Sequence, residues 1–155
     1  MRLVVKLLLA WFTLFGLTVG IWQSVFPSSF YTDFPGVGHH WVSPDGPYNE
    51  HLLRDVGLGN LAIGAVAIVA LRTGVVWVAR AVGLAVVVVN LPHQLYHQAH
   101  VSVLPTLTDQ VLQSVSLAAV SGAAIALAVL AFRLPAAPTS TTPSTTHSAP
   151  APTHL

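Results

Sequence analysis

The sequence predicts an all-α integral membrane protein: an antiparallel four-helix bundle with a long extracytoplasmic loop between helices one and two. Three observations predict this. The chain is 54% hydrophobic and only 7% charged, whereas soluble domains carry about 25% charged residues. A chain of this size in water would still have to cover its surface with polar groups. The apolar residues fall into four runs long enough to cross a bilayer, and the basic residues bracket those runs so that nearly all fall on one side.

The first run has no Asp, Glu, Lys, Arg or His across residues 7–32, and the span is placed at about 5–26. About 20 apolar residues suffice to cross. Arg2 and Lys6 precede it, as in a signal peptide, but the run is longer than an ordinary signal core and no A-x-A site follows. An uncleaved helix is therefore expected. The second span, 52–72, starts beside Asp55 and ends at Arg72, whose long side chain can reach the interface. The third, 75–103, carries Arg80 near its start. The fourth, 109–133, is preceded by Thr108-Asp109 as a helix start and closed by Arg133 before Pro135. Short connections at Thr73-Gly74 and Pro105-Thr106 make neighbouring spans antiparallel.

Charge sorting sets orientation. With the N-terminus inside, Arg2, Lys6, Arg72, Arg80 and Arg133 are cytoplasmic and only Arg54 lies outside, as the positive-inside rule requires. The expected location is thus the plasma membrane, multi-pass, with both termini cytoplasmic. Residues 1–134 form the membrane domain, and the Pro/Thr-rich stretch 135–155 is expected to be a disordered cytoplasmic tail.

Small residues recur at four-residue spacing: Gly16 and Gly20 in the first span, and Ser114, Ala118, Gly122 and Ala126 in the fourth. Such rows let helix backbones approach closely in lipid. Packing within the bundle is expected ahead of a homo-oligomer, although a second copy or another membrane protein remains a candidate partner beside the lipid bilayer. A net charge of +1 gives no footprint for nucleic acid. The absence of cysteine excludes disulfides, iron–sulfur clusters and thiolate ligands.

The chemistry is expected at the outer side, where six of the eight histidines map; His147 and His154 fall in the tail. On a helix, Asn90, His93, His97 and His100 share one face within about 80° of arc. Histidines three and four residues apart can share a metal ion. Pro92 among them removes one backbone donor. The loop carries Gly38-His39-His40-Trp41, and Asn49 caps a helix in which Glu50/Arg54 and His51/Asp55 pair at i, i+4. Its aromatic residues Tyr31, Phe34, Trp41 and Tyr48 are expected to pack onto the mouth of the bundle, since Trp and Tyr favour the interface.

The sequence leaves the cofactor open; a transition metal bound by imidazole and carboxylate is the candidate, with His93, His97, His100, His51, Asp55 and Glu50 as its candidate ligands. His39, His40, Asn90, Arg54, Trp41 and Tyr96 are the expected supporting or lid residues. Asp55 is expected level with His93 or His97, so that one imidazole lies within about 5 Å of Asp55 or His51, a reach set by coordination or one bridging water.

Residues Asn49-Glu50-His51-Leu52-Leu53-Arg54-Asp55-Val56-Gly57-Leu58-Gly59, together with the four spans and the long first outer loop, resemble the DoxX-like group of small four-helix bacterial membrane proteins. Gly38-His39-His40-Trp41 and the three helical histidines depart from the general pattern. With the Ala/Val/Pro-rich composition, they look like an actinobacterial subgroup. The resemblance implies membrane redox or quinone chemistry for some members.

Three functions compete: a metal site in redox or hydrolytic chemistry, a non-catalytic accessory subunit of a membrane complex, and a transporter or proton path. The histidine spacing also resembles one box of the membrane desaturases, but those need several boxes on the cytoplasmic side. A buried bis-His haem lacks a second deep histidine. The transporter ranks last, because residues 82–89 offer nothing polar to carry a route inward.

Overall fold

The computed structural model describes residues 1–135 and is almost wholly helical. The expected tail, with His147 and His154, lies outside the described residues. Four helices are long and apolar enough to cross a membrane: α1 (Leu3–Val25), α3 (Glu50–Thr73), α4 (Val76–Ala99) and α5 (Leu107–Phe132). A fifth, short helix, α2 (Pro27–Asp33), lies between α1 and α3.

The ends of these helices follow from local chemistry. Phe26 leaves the helical region at φ −123°, ψ 55°, ahead of Pro27. Proline disfavours helix at the residue before it yet suits the first position of a new one, so α1 stops and α2 starts there. Asn49 Oδ1 accepts from the Leu52 amide at 3.0 Å and begins α3. Gly74, at φ +67°, ends α3 in the left-handed conformation that glycine takes without strain.

The fourth span opens earlier than expected, at Thr106. Its hydroxyl accepts from the Asp109 amide at 3.0 Å, as an N-cap does, and donates to Asp109 Oδ2 at 2.5 Å. The third span ends earlier than expected. The α-helix stops at Ala99, and Val101–Val103 continue as a single 3₁₀ turn.

Close packing follows the glycines. α1 runs against α3 and α4 against α5, with lesser contact between α3 and α4 and between α1 and α5. A Cβ on Gly16 would lie 2.8 Å from the Asn60 carbonyl oxygen, and one on Gly20 would lie 2.9 Å from that of Gly57. The Gly16/Gly20 row is therefore spent inside the molecule. Gly83 meets Ala128 across α4 and α5 in the same way, at 2.8 Å. Gly122 has nothing within 4 Å of its would-be Cβ, so the α5 row faces outward.

The core is concentrated at one end. Val5, Leu9 and Phe12 of α1 meet Ala67 and Ala70 of α3, Val82 of α4 and Leu127 of α5. Arg80 closes that end, donating from Nε to Ala131 O at 3.2 Å and from Nη2 to Leu134 O at 2.6 Å, with its guanidinium 4.6 Å from the Trp77 ring. Carbonyls at a helix C-terminus lack intrahelical donors, and Arg80 supplies donors to two of them beside the Leu134 amide that also reaches Ala131 O. At the opposite end the helices part, and the segment between α1 and α3 fills in above them. Large apolar side chains such as Leu7, Leu14, Leu84, Val88 and Val115 point outward and stay exposed, which is the distribution a lipid-facing surface requires.

The α1–α3 connection is folded, as expected of its aromatic content, but it holds more regular structure than a loop. After α2, strands β1 (Pro35–Gly36) and β2 (His39–His40) pair antiparallel, with Gly36 opposite His39. Val37 (φ 57°) and Gly38 (φ 81°) form the turn. A 3₁₀ turn at Ser43–Asp45 follows. Phe30 and Trp41 are buried, and Phe34 packs between them at ring-centroid distances of 4.6 and 6.2 Å. Tyr31 and Tyr48 depart from the expectation. They meet edge to face at 5.3 Å on the outer surface, where the Tyr31 hydroxyl donates to Gly46 O at 2.7 Å and Tyr48 is 42% exposed.

Candidate functional site

Two polar centres and one cavity occupy the open end of the helices. The first centre is Asp109, in the first turn of α5. Its side chain receives Thr106 Oγ1 on Oδ2, and on Oδ1 both the Trp41 indole N–H at 3.0 Å and His39 Nδ1 at 2.6 Å. A carboxylate can only accept here, so His39 Nδ1 carries the proton. The arrangement ties the hairpin to α5 and aligns the carboxylate with the helix N-terminus, where negative charge is favoured.

The second centre is His93, His97 and Asp45. His93 and His97 stand one helical turn apart with ring centroids 4.5 Å from each other, edge to face. Asp45 reaches down from the 3₁₀ turn, its Oδ2 3.9 Å from His97 Nδ1. That separation is too long for a hydrogen bond, and the Asp45 carboxylate makes none among the described residues.

Below this centre lies a cavity of about 340 Å³, within the size range of small-molecule sites. Phe15 and Val19 of α1, Leu53 of α3, Val89 of α4 and Leu117 of α5 form its apolar walls, with Phe30, Phe34 and Trp41 above. Its polar fittings are Gln23, Asn60, Asn90 and Gln113. Asn60 Nδ2 donates to Gln23 Oε1 at 2.7 Å, and Asn90 Nδ2 to Val86 O at 2.8 Å. Gln113 is only 5% exposed. Leu52, Val56, Val89 and Ser116 line the cavity yet are exposed on the helix flanks, so the cavity opens sideways.

The remaining expected site residues lie apart from this cavity. Glu50 and Arg54 pair on the surface at 2.8 Å, and Arg54 Nη1 also donates to Ser24 O, beside a shallow depression of about 510 Å³. His51 and Asp55 pair with each other at 3.3 Å and are both exposed. His100 is turned away because the helix has ended. It stacks on Tyr96 at 4.3 Å and donates from Nδ1 to Tyr96 O at 2.8 Å. His40 donates to Thr32 O at the surface.

The carboxylates that meet His97 and His39 are therefore Asp45 and Asp109. Asp55 and Glu50, the expected partners, are engaged elsewhere on α3. Among the described residues no three His, Asp or Glu side chains are grouped to hold a metal ion, so the six expected ligands do not form one set. Sequence reasoning missed Asp45, Asp109 and Gln113. For Asp109 a signal existed in Thr106-x-x-Asp109, the spacing of a capping box. Compared with known proteins, the chain matches no family model, no curated protein and no solved structure.

Proposed function

We propose that this chain is a multi-pass plasma-membrane protein, an antiparallel four-helix bundle with cytoplasmic termini and residues 27–49 outside, that binds an amphipathic small molecule in its outer half. The observation that carries this reading is the cavity: apolar along the helices, polar at one end, and open on the flank that lipid would cover. Pockets of this composition fix an apolar body by burial and orient it with a few polar groups. His93, His97 and Asp45 then serve as the hydrogen-bonding end, and the Asp109-anchored hairpin as the roof. The same four spans, the long first outer loop and the Asn49–Gly59 stretch are the grounds for proposing kinship with the DoxX-like proteins.

The test is binding of a neutral amphiphile to protein in lipid nanodiscs. With 1-decanol, the unfolding temperature of the wild type should rise, whereas that of Val56→Trp, which fills the cavity from α3, should not. Equal responses of the two proteins would reduce the effect to the bilayer and overturn the reading.

A further inference from the structure

Resting on the pocket reading above, the lining assigns a charge class to the occupant: we propose that the cavity selects an amphiphile with a cationic amine head over neutral or anionic ones of the same length. Among the described residues, the only ionisable side chains lining it are Asp45, His93 and His97, with no Lys or Arg. Arg54, the nearby guanidinium of α3, is turned to Glu50 and the Ser24 carbonyl on the other side of the helix pair.

The Asp45 carboxylate is unusual among those of this chain in being largely covered without a hydrogen bond. Its side chain is 19% exposed, and its nearest partner is His97 at 3.9 Å. A half-buried carboxylate keeps a demand for donors that scarce water satisfies poorly. The two imidazoles can each offer a ring nitrogen as acceptor, and so can the side-chain carbonyl of Gln113, which also lines the cavity. An ammonium group supplies up to three donors and a charge to this set of acceptors. Three aromatic residues, Phe30, Phe34 and Trp41, line the same end, and aromatic walls favour cations further. A carboxylate or phosphate head would meet Asp45 as a like charge in a poorly hydrated space, where repulsion is strong.

The apolar remainder fits the same ligand. From Asp45 and His97 the walls run down through Val56, Val89 and Leu117 to Phe15 and Val120, so an alkyl or aryl tail of modest length lies along the helices while its head stays under the hairpin.

Three matched probes test the assignment: decylamine, 1-decanol and decanoate, titrated calorimetrically at neutral pH into protein-loaded nanodiscs of zwitterionic lipid. Empty nanodiscs are subtracted, and affinities are expressed against probe in the bilayer. Decylamine should bind about tenfold more tightly than 1-decanol, the effect of one charge-assisted hydrogen bond at about 1.4 kcal/mol, and decanoate more weakly than either. In Asp45→Asn the amine should lose its tenfold preference over the alcohol. Asp45→Glu should keep the preference. Equal binding of amine and alcohol by the wild type, or preference for decanoate, would overturn the cationic assignment and leave the pocket reading standing. An amine preference that survives in Asp45→Asn would overturn the role of Asp45. Failure of all three probes to bind would remove the pocket reading along with the inference.

Discussion

Asp109 gathers three donors from two separate parts of the chain: Thr106 beside it, and His39 and Trp41 from the hairpin some seventy residues earlier. Removing the carboxylate leaves those donors without their acceptor, and the hairpin loses its tie to α5. Asp109→Ala is therefore expected to lower the unfolding temperature by several degrees and to shift Trp41 emission to the red. His39→Ala should do less, since Trp41 still holds. An unchanged emission in Asp109→Ala would show that the roof is held by packing alone. Val37 is the opposite case, a residue at odds with its backbone. It is fully exposed and sits at φ 57° in a two-residue hairpin turn, a conformation costly for a β-branched side chain and natural for asparagine. Val37→Asn should raise stability by about 1 kcal/mol, read from chemical unfolding. A loss of stability would show that Val37 makes a contact in the membrane interface. The sequence pointed to the His93/His97 face because helical spacing is a local property. It could not point to Asp45, whose approach to His97 depends on how a short 3₁₀ turn lands after two other elements.

At the scale of elements, the long helices were legible because each satisfies its own backbone and advertises itself by apolar length. Their ends were less so. Expecting the third span to run to residue 103 placed His100 on the same face as His93 and His97, yet the helix stops at Ala99 and His100 swings onto Tyr96. The seven residues of α2 are too few for periodicity to register, although Pro27 at its first position was a cue. The α1–α3 pairing rests on glycine contacts that leave no room for a side chain. Gly16→Leu, pressed against the Asn60 carbonyl, should cost about 1–3 kcal/mol, whereas Gly122→Ala, which meets nothing within 4 Å, should be neutral or slightly stabilising. Unfolding in mild detergent, followed by helicity, distinguishes the two. If both substitutions were tolerated, the α1–α3 seam would be loose. If Gly122→Ala were the damaging one, the outward row of α5 would be covered by another chain.

For the whole molecule, packing and opening divide along the helix axis. The buried cluster from Val5 to Leu127 and the Arg80 clamp hold one end shut, while at the other end hydrogen-bonded polar groups replace hydrophobic contacts and a cavity remains. This polarity matters for function only if the open end faces outward, and the basic residues supply the argument. Arg72, Arg80 and Arg133 lie at the closed end with Arg2 and Lys6, whereas Arg54 alone lies at the open end, neutralised by Glu50. Lys and Arg beside membrane spans are retained in the cytoplasm, and on this ground the orientation proposed above puts the closed end inside and the cavity with its hairpin roof in the outer leaflet. Reporter fusions after Arg72 and after Arg133 should therefore be active only as cytoplasmic reporters, and fusions after Pro47 and after Thr106 only as external ones. Reversed signals at Arg72 and Pro47 would invert the molecule. The cavity would then draw its ligand from the inner leaflet, and the hairpin would lie in the cytoplasm, where it could not be reached by a membrane-impermeant reagent.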